Sequence, residues 1–435
     1  MIEQIRNALR QAEIVDYTIN EVTQESVECF FIRRNLDLKR RTNLLEYTVT
    51  VFCPFERKGE KGDSDQSADE KRMLGSSTVQ IYPEMEEDEI IAAIRSAYHA
   101  ASFVANPWYE LVSGTAEAFV PSKGTLAGHS PEENMKEMVK ALFAADTQDT
   151  VFLNSAEIFS KKIVRRIVNA RGVDVSYETC EVSGEYVVQC VSPQDVETYH
   201  DFSYRDLDTE ALRKDVEEAL EMTQARSRAS VAPKAGTYRV ILSGEQMQTF
   251  FQYYVSRSGS GMIYQKYSGY QTGMQVQGDS VTGDTLTMIL KAMDPYSQEG
   301  LPMKDRTLLD KGILRTIHGD SRFAYYLGIE PTGTYRSISV PVGNVPLSQM
   351  KSGAYLHVVS FSDFQMNSFT GHFGGEIRLA FLCDGQTVTP VTGGSINGSI
   401  MDVQGNMVFS KERYKNGYYE GPFAVSLEGI QVAGA

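Results

Sequence analysis

Six histidines are spread along the chain at His99, His129, His200, His318, His357 and His372. No two lie within six residues of each other, and no HExxH or HExxxH motif occurs. The local spacing that lets one helix turn clamp a metal is therefore missing. The richest group of reactive types is His357, Asp363, His372 and Cys383, with Gly374 and Gly375 between the last two. Imidazole, carboxylate and thiolate are zinc donors, and the same set could form a polar patch lining a peptide groove. The plainer reading has the histidines on the surface or satisfied in the core, and Cys383 as a small buried hydrophobe. Gly371, Gly374 and Gly375 would let a peptide backbone approach a strand edge, as a bulge or barrel corner also would. Tyr253, Tyr254, Tyr264, Tyr267 and Tyr270 crowd one region, as a groove lining or as core. The glycines match no phosphate loop, no residue stands out as catalytic, and no metal ligand set is evident.

These residues sit in a chain of uneven composition. Residues 231–435 hold 16 Lys and Arg against 16 Asp and Glu, so the net charge of −15 belongs to residues 1–230. Glycine divides the other way, with 27 of 35 after residue 230. The join, Arg228–Thr237, has linker composition. Two domains follow: a charged scaffold or docking domain over 1–230, and a domain over 231–435 where backbone bends tightly or approaches a ligand. The acidic balance argues against direct nucleic-acid binding. The one basic run, Arg33 to Arg41, alternates with apolar residues and reads as the exposed face of strands. No apolar run approaches the roughly 18–20 residues that span a bilayer, and the N-terminus lacks the pattern of a signal peptide. Five scattered cysteines with no CxxC pair fit a reduced, cytoplasmic protein.

The elements that must position these groups can be read from period and caps. A short helix is expected over 2–12 and strands over 15–22, 26–32, 46–54 and 73–82. In the third, Tyr47, Val49, Val51 and Cys53 alternate with polar residues. Residues 57–72 are too polar to bury and are expected to loop. Helices are expected over 86–104, on a stripe of Ile90, Ile91, Ile94, Tyr98 and Ala101, and over 131–144, capped by Ser130 with Glu133. Strands dominate 149–205, and an acidic helix over 208–227 is capped by Asp208. The second half opens with a strand over 238–243 and a helix over 245–257. A strand–turn–strand follows over 306–318, then short glycine-punctuated strands over 335–432. The fold class is α+β: a mixed sheet-and-helix N-terminal domain, and a mostly antiparallel β C-terminal domain with an opening helix.

Two stretches carry a family likeness. One is Glu299-Gly300-Leu301-Pro302, then Arg306-Thr307-Leu308-Leu309-Asp310-Lys311-Gly312-Ile313-Leu314, then Tyr325-Tyr326-Leu327-Gly328-Ile329. The other is Ser368-Phe369-Thr370-Gly371-His372-Phe373-Gly374-Gly375 followed by Ala380–Val391. In order and spacing they resemble the C-terminal domain of the TldD/PmbA family, and the strand pattern of 15–54 with the helix over 86–104 resembles its N-terminal domain. The TldD arm of that family carries a zinc-binding HExxxH on the helix that opens the C-terminal domain. The matching helix here, Gly244 to Arg257, holds Glu245 and no histidine. The chain thus resembles the PmbA, or TldE, arm. The resemblance implies a non-zinc subunit of a cytosolic two-subunit metalloprotease acting on peptides or unfolded segments, with zinc in a TldD-like partner and none in this chain. The family label "modulator of DNA gyrase" implies a genetic connection rather than DNA contact. The alternative is an independent homodimeric peptidase with a non-standard site around His357, His372 and Cys383.

Overall fold

The structure is a computed structural model that describes residues 1–57, 72–117 and 124–434. The first half is built on one antiparallel sheet of six strands: β1 (Asp16–Ile32), β2 (Asn35–Glu56), β3 (Arg72–Ile81), β4 (Val151–Asn169), β5 (Asp174–Cys190) and β6 (Val196–Tyr204). Their order is β3-β2-β1-β4-β5-β6. The expected strands over 15–22 and 26–32 are one strand. Thr23, Gln24 and Glu25 look like a break in sequence, but each is paired on both sides, to β2 and to β4. Most of the expected loop over 57–72 lies outside the described residues; Arg72 opens β3.

Among the described residues, the four α-helices of this half cover the same sheet face. Helices α1 (Ile2–Gln11) and α2 (Glu87–Ala101) pack on Ile19, Tyr47, Val49, Val51 and Ile81 at one end. Helices α3 (Pro131–Ala144) and α4 (Thr209–Arg226) pack on Val27, Cys29, Ala156, Ile158 and Val182 at the other. The alternation read in the sequence of β2 is this face: Tyr47, Val49, Val51 and Cys53 are all buried. The caps also form as expected. Ser130 Oγ accepts from the Glu133 amide, the Glu133 carboxylate accepts from the Ser130 amide, and Asp208 accepts from the Ala211 amide. The opposite face of the sheet is left for the second half of the chain.

That second half contains a small closed barrel. Strands β7 (Gly236–Ser243), β12 (Ala354–Phe361), β14 (His372–Asp384), β16 (Ser395–Ser399) and β20 (Ala424–Ala433) run β12-β7-β20-β16-β14, and β14 returns to pair with β12. Most pairings are antiparallel; β7 with β12 is parallel. Short strands β13 (Gln365–Met366), β15 (Val388–Val391) and β17 (Val408–Phe409) attach to the ring. A second sheet combines β8 (Met288–Lys291), β9 (Arg306–Asp310), β10 (Ile313–Leu314), β11 (Ser337–Ser339), β18 (Arg413–Asn416) and β19 (Tyr419–Pro422).

Helix α5 (Gln246–Arg257) is wedged between barrel and second sheet. Phe250 meets Phe373 of β14, while Phe251 stacks on Tyr419 of β19 at 6.0 Å and meets Phe409 of β17. Both phenylalanines are fully buried, and truncating either would cost roughly 3–5 kcal/mol. Helices α6 (Ser260–Tyr264) and α7 (Ser321–Leu327) were not foreseen. The second is marked in retrospect by Asp320, which caps the Phe323 amide, and by Gly328 in the left-handed conformation at its end.

Candidate functional site

The residues singled out from sequence do not converge. His357 and Cys383 lie on neighbouring strands, where Tyr355 faces Cys383 and His357 faces Phe381. Both are buried, and Cys383 belongs to a small apolar cluster with Ile241, Met350, Tyr355 and Ala424. His357 Nε2 lies 2.8 Å from Ser243 Oγ, and its Nδ1 has no partner. Burial, reinforced by the nearby Lys351 charge, lowers the His357 imidazole to about 3. His372 is exposed at the opposite end of β14 from Cys383, roughly 35 Å along an extended strand. Asp363 is exposed in the turn before β13. The anticipated cluster of His357, Asp363, His372 and Cys383 is thus divided between the buried His357 and Cys383 and the exposed Asp363 and His372. Among the described residues no group of three His, Cys, Asp or Glu side chains is placed to hold a metal.

The glycines are explained by packing. A Cβ on Gly374 would lie 2.5 Å from the Ile396 carbonyl oxygen, and one on Gly375 would lie 2.8 Å from the Phe361 ring. Gly374 pairs with Gln365 on one side and Asn397 on the other, so it offers no free edge to a peptide. Of the tyrosine group, Tyr253, Tyr254 and Tyr270 are core, and Tyr264 and Tyr267 are exposed.

A concave surface forms instead along the polar side of α5. The apolar side chains Met247, Phe250, Phe251, Tyr254 and Val255 face the core. Gln248, Thr249 and Gln252 then fall together on the opposite face, because positions three and four apart are helix neighbours. At the N-terminal end of α5, a cavity of about 440 Å³ is lined by Glu245, Gln248, Thr249, Asp363, Tyr414 and, from the first half, Asp201. A second, of about 300 Å³, shares Gln248 and Thr249 and continues past Gln252 to Arg336, Met366 and Tyr418. A third, of about 500 Å³, shares Arg336 and Tyr418 and opens between the halves. It is walled by the sheet face opposite α1–α4 at Asn20, Ile163, Arg165 and Tyr177. The three make a run of linked hollows bordered by both halves.

The halves are held together around this run. Arg205 pairs with Asp294 at 3.0 Å, Lys415 with Asp206 at 3.5 Å, and Arg322 donates to Asn106 Oδ1 at 3.2 Å. Trp108 meets Tyr325 edge-on, and the Tyr326 hydroxyl donates to the Pro107 carbonyl. At the acidic end of the run, enclosure by protein pushes Glu245 above its ordinary carboxylate value, with Asp201 adding to the rise. Asp201 is pushed up the same way, with Glu185 adding to it. Sequence reading touched this surface only at Asp363. The signal available to it was the polar stripe Glu245, Gln248, Thr249, Gln252 in an otherwise aromatic helix.

Residues 235–434 match the family model of the PmbA/TldA metallopeptidase C-terminal domain. Over those residues the chain carries a C-terminal domain of the PmbA/TldA metallopeptidase kind. A metalloprotease of Methanothermobacter thermautotrophicus is 21% identical over 374 residues, covering 80% of this chain and 71% of the relative. The fold matches TldE from Thermococcus kodakarensis with a TM-score of 0.75 and 17% identity, over 99% of this chain and 100% of that one. It matches a protein of Thermotoga maritima described as a modulator of DNA gyrase with a TM-score of 0.76 and 14% identity, over 99% and 100%. A Bacteroides thetaiotaomicron protein so described gives 0.77 and 13%, over 100% and 99%. Zinc, the metal the family implies, would have to be held on the groove face of α5. That face presents two carboxamides, a hydroxyl and one carboxylate, with no imidazole or thiolate, and these residues do not fit a zinc site.

Proposed function

We propose that this chain is the non-zinc, TldE-like subunit of a two-subunit metalloprotease, and that it helps hold a peptide or unfolded segment for a zinc-bearing homologue. The observation that carries the reading is the solvent face of α5. The helix opens the C-terminal domain and borders the linked hollows, yet offers Glu245, Gln248, Thr249 and Gln252 where hydrolysis would require metal ligands. Amides and hydroxyls of this kind hydrogen-bond a peptide backbone without cleaving it. We take 1–230 as the docking unit and 231–435 as the family domain, joined through Arg228–Thr237. All five cysteines are buried and none is joined in a disulfide, which suits a reducing, cytoplasmic setting. Among the described residues no helix is long and apolar enough to cross a membrane.

The test is co-purification with a TldD-like homologue, followed by elemental analysis and a peptide-cleavage assay. The chain alone should carry no stoichiometric zinc and cleave nothing. The co-eluting pair should carry zinc in the partner and cleave. Full peptidase activity of the isolated chain would overturn this reading. The alternative, an independent homodimeric peptidase, is motivated by the intact C-terminal domain, but its candidate residues His357, His372 and Cys383 do not share a surface.

A further inference from the structure

A strip of exposed rings runs over the second half beside α5. Tyr267 and Phe369 meet edge-on at 5.3 Å. Tyr264 lies 4.8 Å from Tyr326, which in turn meets Tyr325. Tyr264 closes α6, and Tyr267 follows it by three residues. These rings stand well out of the core: Tyr264 is 39% exposed, Tyr325 44%, Tyr267 54% and Phe369 59%. Met401, also 59% exposed, joins them through Tyr253, whose hydroxyl lies 3.8 Å from its sulfur and whose ring lies against Gly371.

The strip is held in place. Arg257, the last residue of α5, donates to the carbonyl oxygens of both Tyr267 and Phe369. Asn367 Oδ1 accepts from the Phe369 and Thr370 amides at 2.9 and 3.1 Å, which fixes the loop that carries Phe369. Side chains ordered in advance give up less freedom on binding. The segments that carry them are also poor in charge. Between Ser258 and Gly278 only Lys266 is charged, and between Phe364 and Gly375 there is no Asp, Glu, Lys or Arg, in a chain that is 23% charged. Aromatic and methionine side chains with charge removed are the composition of a protein–protein interface core.

Size and position select the occupant. An enclosed aromatic side chain buries roughly 150–250 Å², so four half-exposed rings offer about 400 Å². That is more than one peptide side chain covers, and it is a large share of the roughly 800 Å² that each partner gives to a stable interface. The strip begins where Arg257 ends α5, and Ser368, next to Phe369, lines the cavity along that helix. A subunit seated on the rings therefore stands beside the groove, within reach of a peptide held there.

We propose that the face formed by Tyr264, Tyr267, Tyr325, Phe369 and Met401 is the surface on which the zinc-bearing homologue docks. The identity of the partner rests on the subunit role proposed above; the choice of surface does not. It adds a contact from the second half to the docking assigned to residues 1–230.

The experiment is light scattering after gel filtration, over a concentration series, of the full chain alone and mixed with the zinc-bearing homologue. The wild type is compared with Phe369→Asp, Tyr267→Asp and the control Phe103→Asp, each checked for an unchanged circular dichroism melt. Phe103 is 75% exposed and lies just beyond α2, in the first half. The wild type and Phe103→Asp should pair with the homologue, and Phe369→Asp and Tyr267→Asp should weaken pairing at least about thirtyfold. Pairing undiminished in both overturns the surface and leaves the subunit role standing. A wild-type self-dimer that Phe369→Asp dissolves, with no mixed pair, overturns the assignment to a homologue. No association of the wild type with itself or with the homologue overturns both. If a variant fails to fold, hydrogen exchange on the wild-type pair decides. Protection of 258–278 and 364–375 on pairing supports the surface, and protection confined to 1–230 overturns it.

Discussion

His357 shows how a reactive residue type is put to structural use. Its ring sits in the barrel wall with Nε2 beside Ser243 Oγ and Nδ1 unpartnered, too deep to meet a substrate. An unfolded histidine takes up its proton near pH 6.5, whereas His357 in the fold does so only at about 3. The unfolded state therefore binds more protons between those values. The stabilising contribution is complete above about pH 6.5 and drains away as pH falls toward 3. His200, also enclosed and lowered to about 4, acts in the same direction. Urea unfolding of the wild type should show stability falling between pH 7 and 4. His357→Gln should flatten that slope by an amount on the order of a few kcal/mol. Identical slopes in the two proteins would show that the ring is not held neutral by the fold.

At the scale of elements, local signals and tertiary signals separate cleanly. Helix α3 announces itself through Ser130, Pro131 and Glu133, and both hydrogen bonds of the capping box are formed. Removing the cap with Ser130→Ala should cost about 1 kcal/mol, read as a lower urea midpoint at unchanged slope; no change would mean the helix end is held by packing alone. The helices α1, α2, α4 and α5 were legible for the same reason: caps and apolar stripes are properties of short windows. Strand β1 was not, because its middle reads as polar and only pairing on both sides keeps it extended. The tip of β2 makes a related point. Its residues 35–46 have no strand on their outer side among the described residues, since β3 pairs only with Tyr47–Glu56. Lys39, Arg40 and Arg41 lie on that open stretch, where charge discourages edge-to-edge association. Arg40 pairs with Glu28 and Arg41 with Glu132, so the run is tied to its own half of the chain.

For the whole molecule, the decisive feature is that the face of the first sheet opposite α1–α4 closes over the second half. Trp108, the single tryptophan, lies in that contact against Tyr325, with the Arg72 guanidinium 4.3 Å from its ring centre. Its fluorescence is therefore a built-in report on docking between the halves. In the wild type the tryptophan signal and the far-ultraviolet signal should unfold together. In the double variant Tyr325→Ala and Tyr326→Ala, the tryptophan transition should move to lower denaturant than the loss of secondary structure, because both edge-on ring contacts and the Pro107 hydrogen bond are gone. Coincident transitions in the variant would mean that the rest of the interface suffices to couple the halves.

The likeness of the C-terminal domain to its family, the α+β class and most helices followed from residue order, because caps, period and motif spacing are written in short windows of the chain. The missing histidines on α5 were equally plain, since an absent residue type needs no fold to establish it. The site was not. Asp201 comes from β6 of the first half and Glu245 from the start of α5, and nothing local in either segment says that they share a cavity. The sequence favoured His357, Asp363, His372 and Cys383 because they are close in number. An extended strand carries neighbours in sequence away from each other at roughly 3.3 Å per residue, and alternation sends some into the core. Only the closure of the barrel and the docking of the two halves decide which side chains meet.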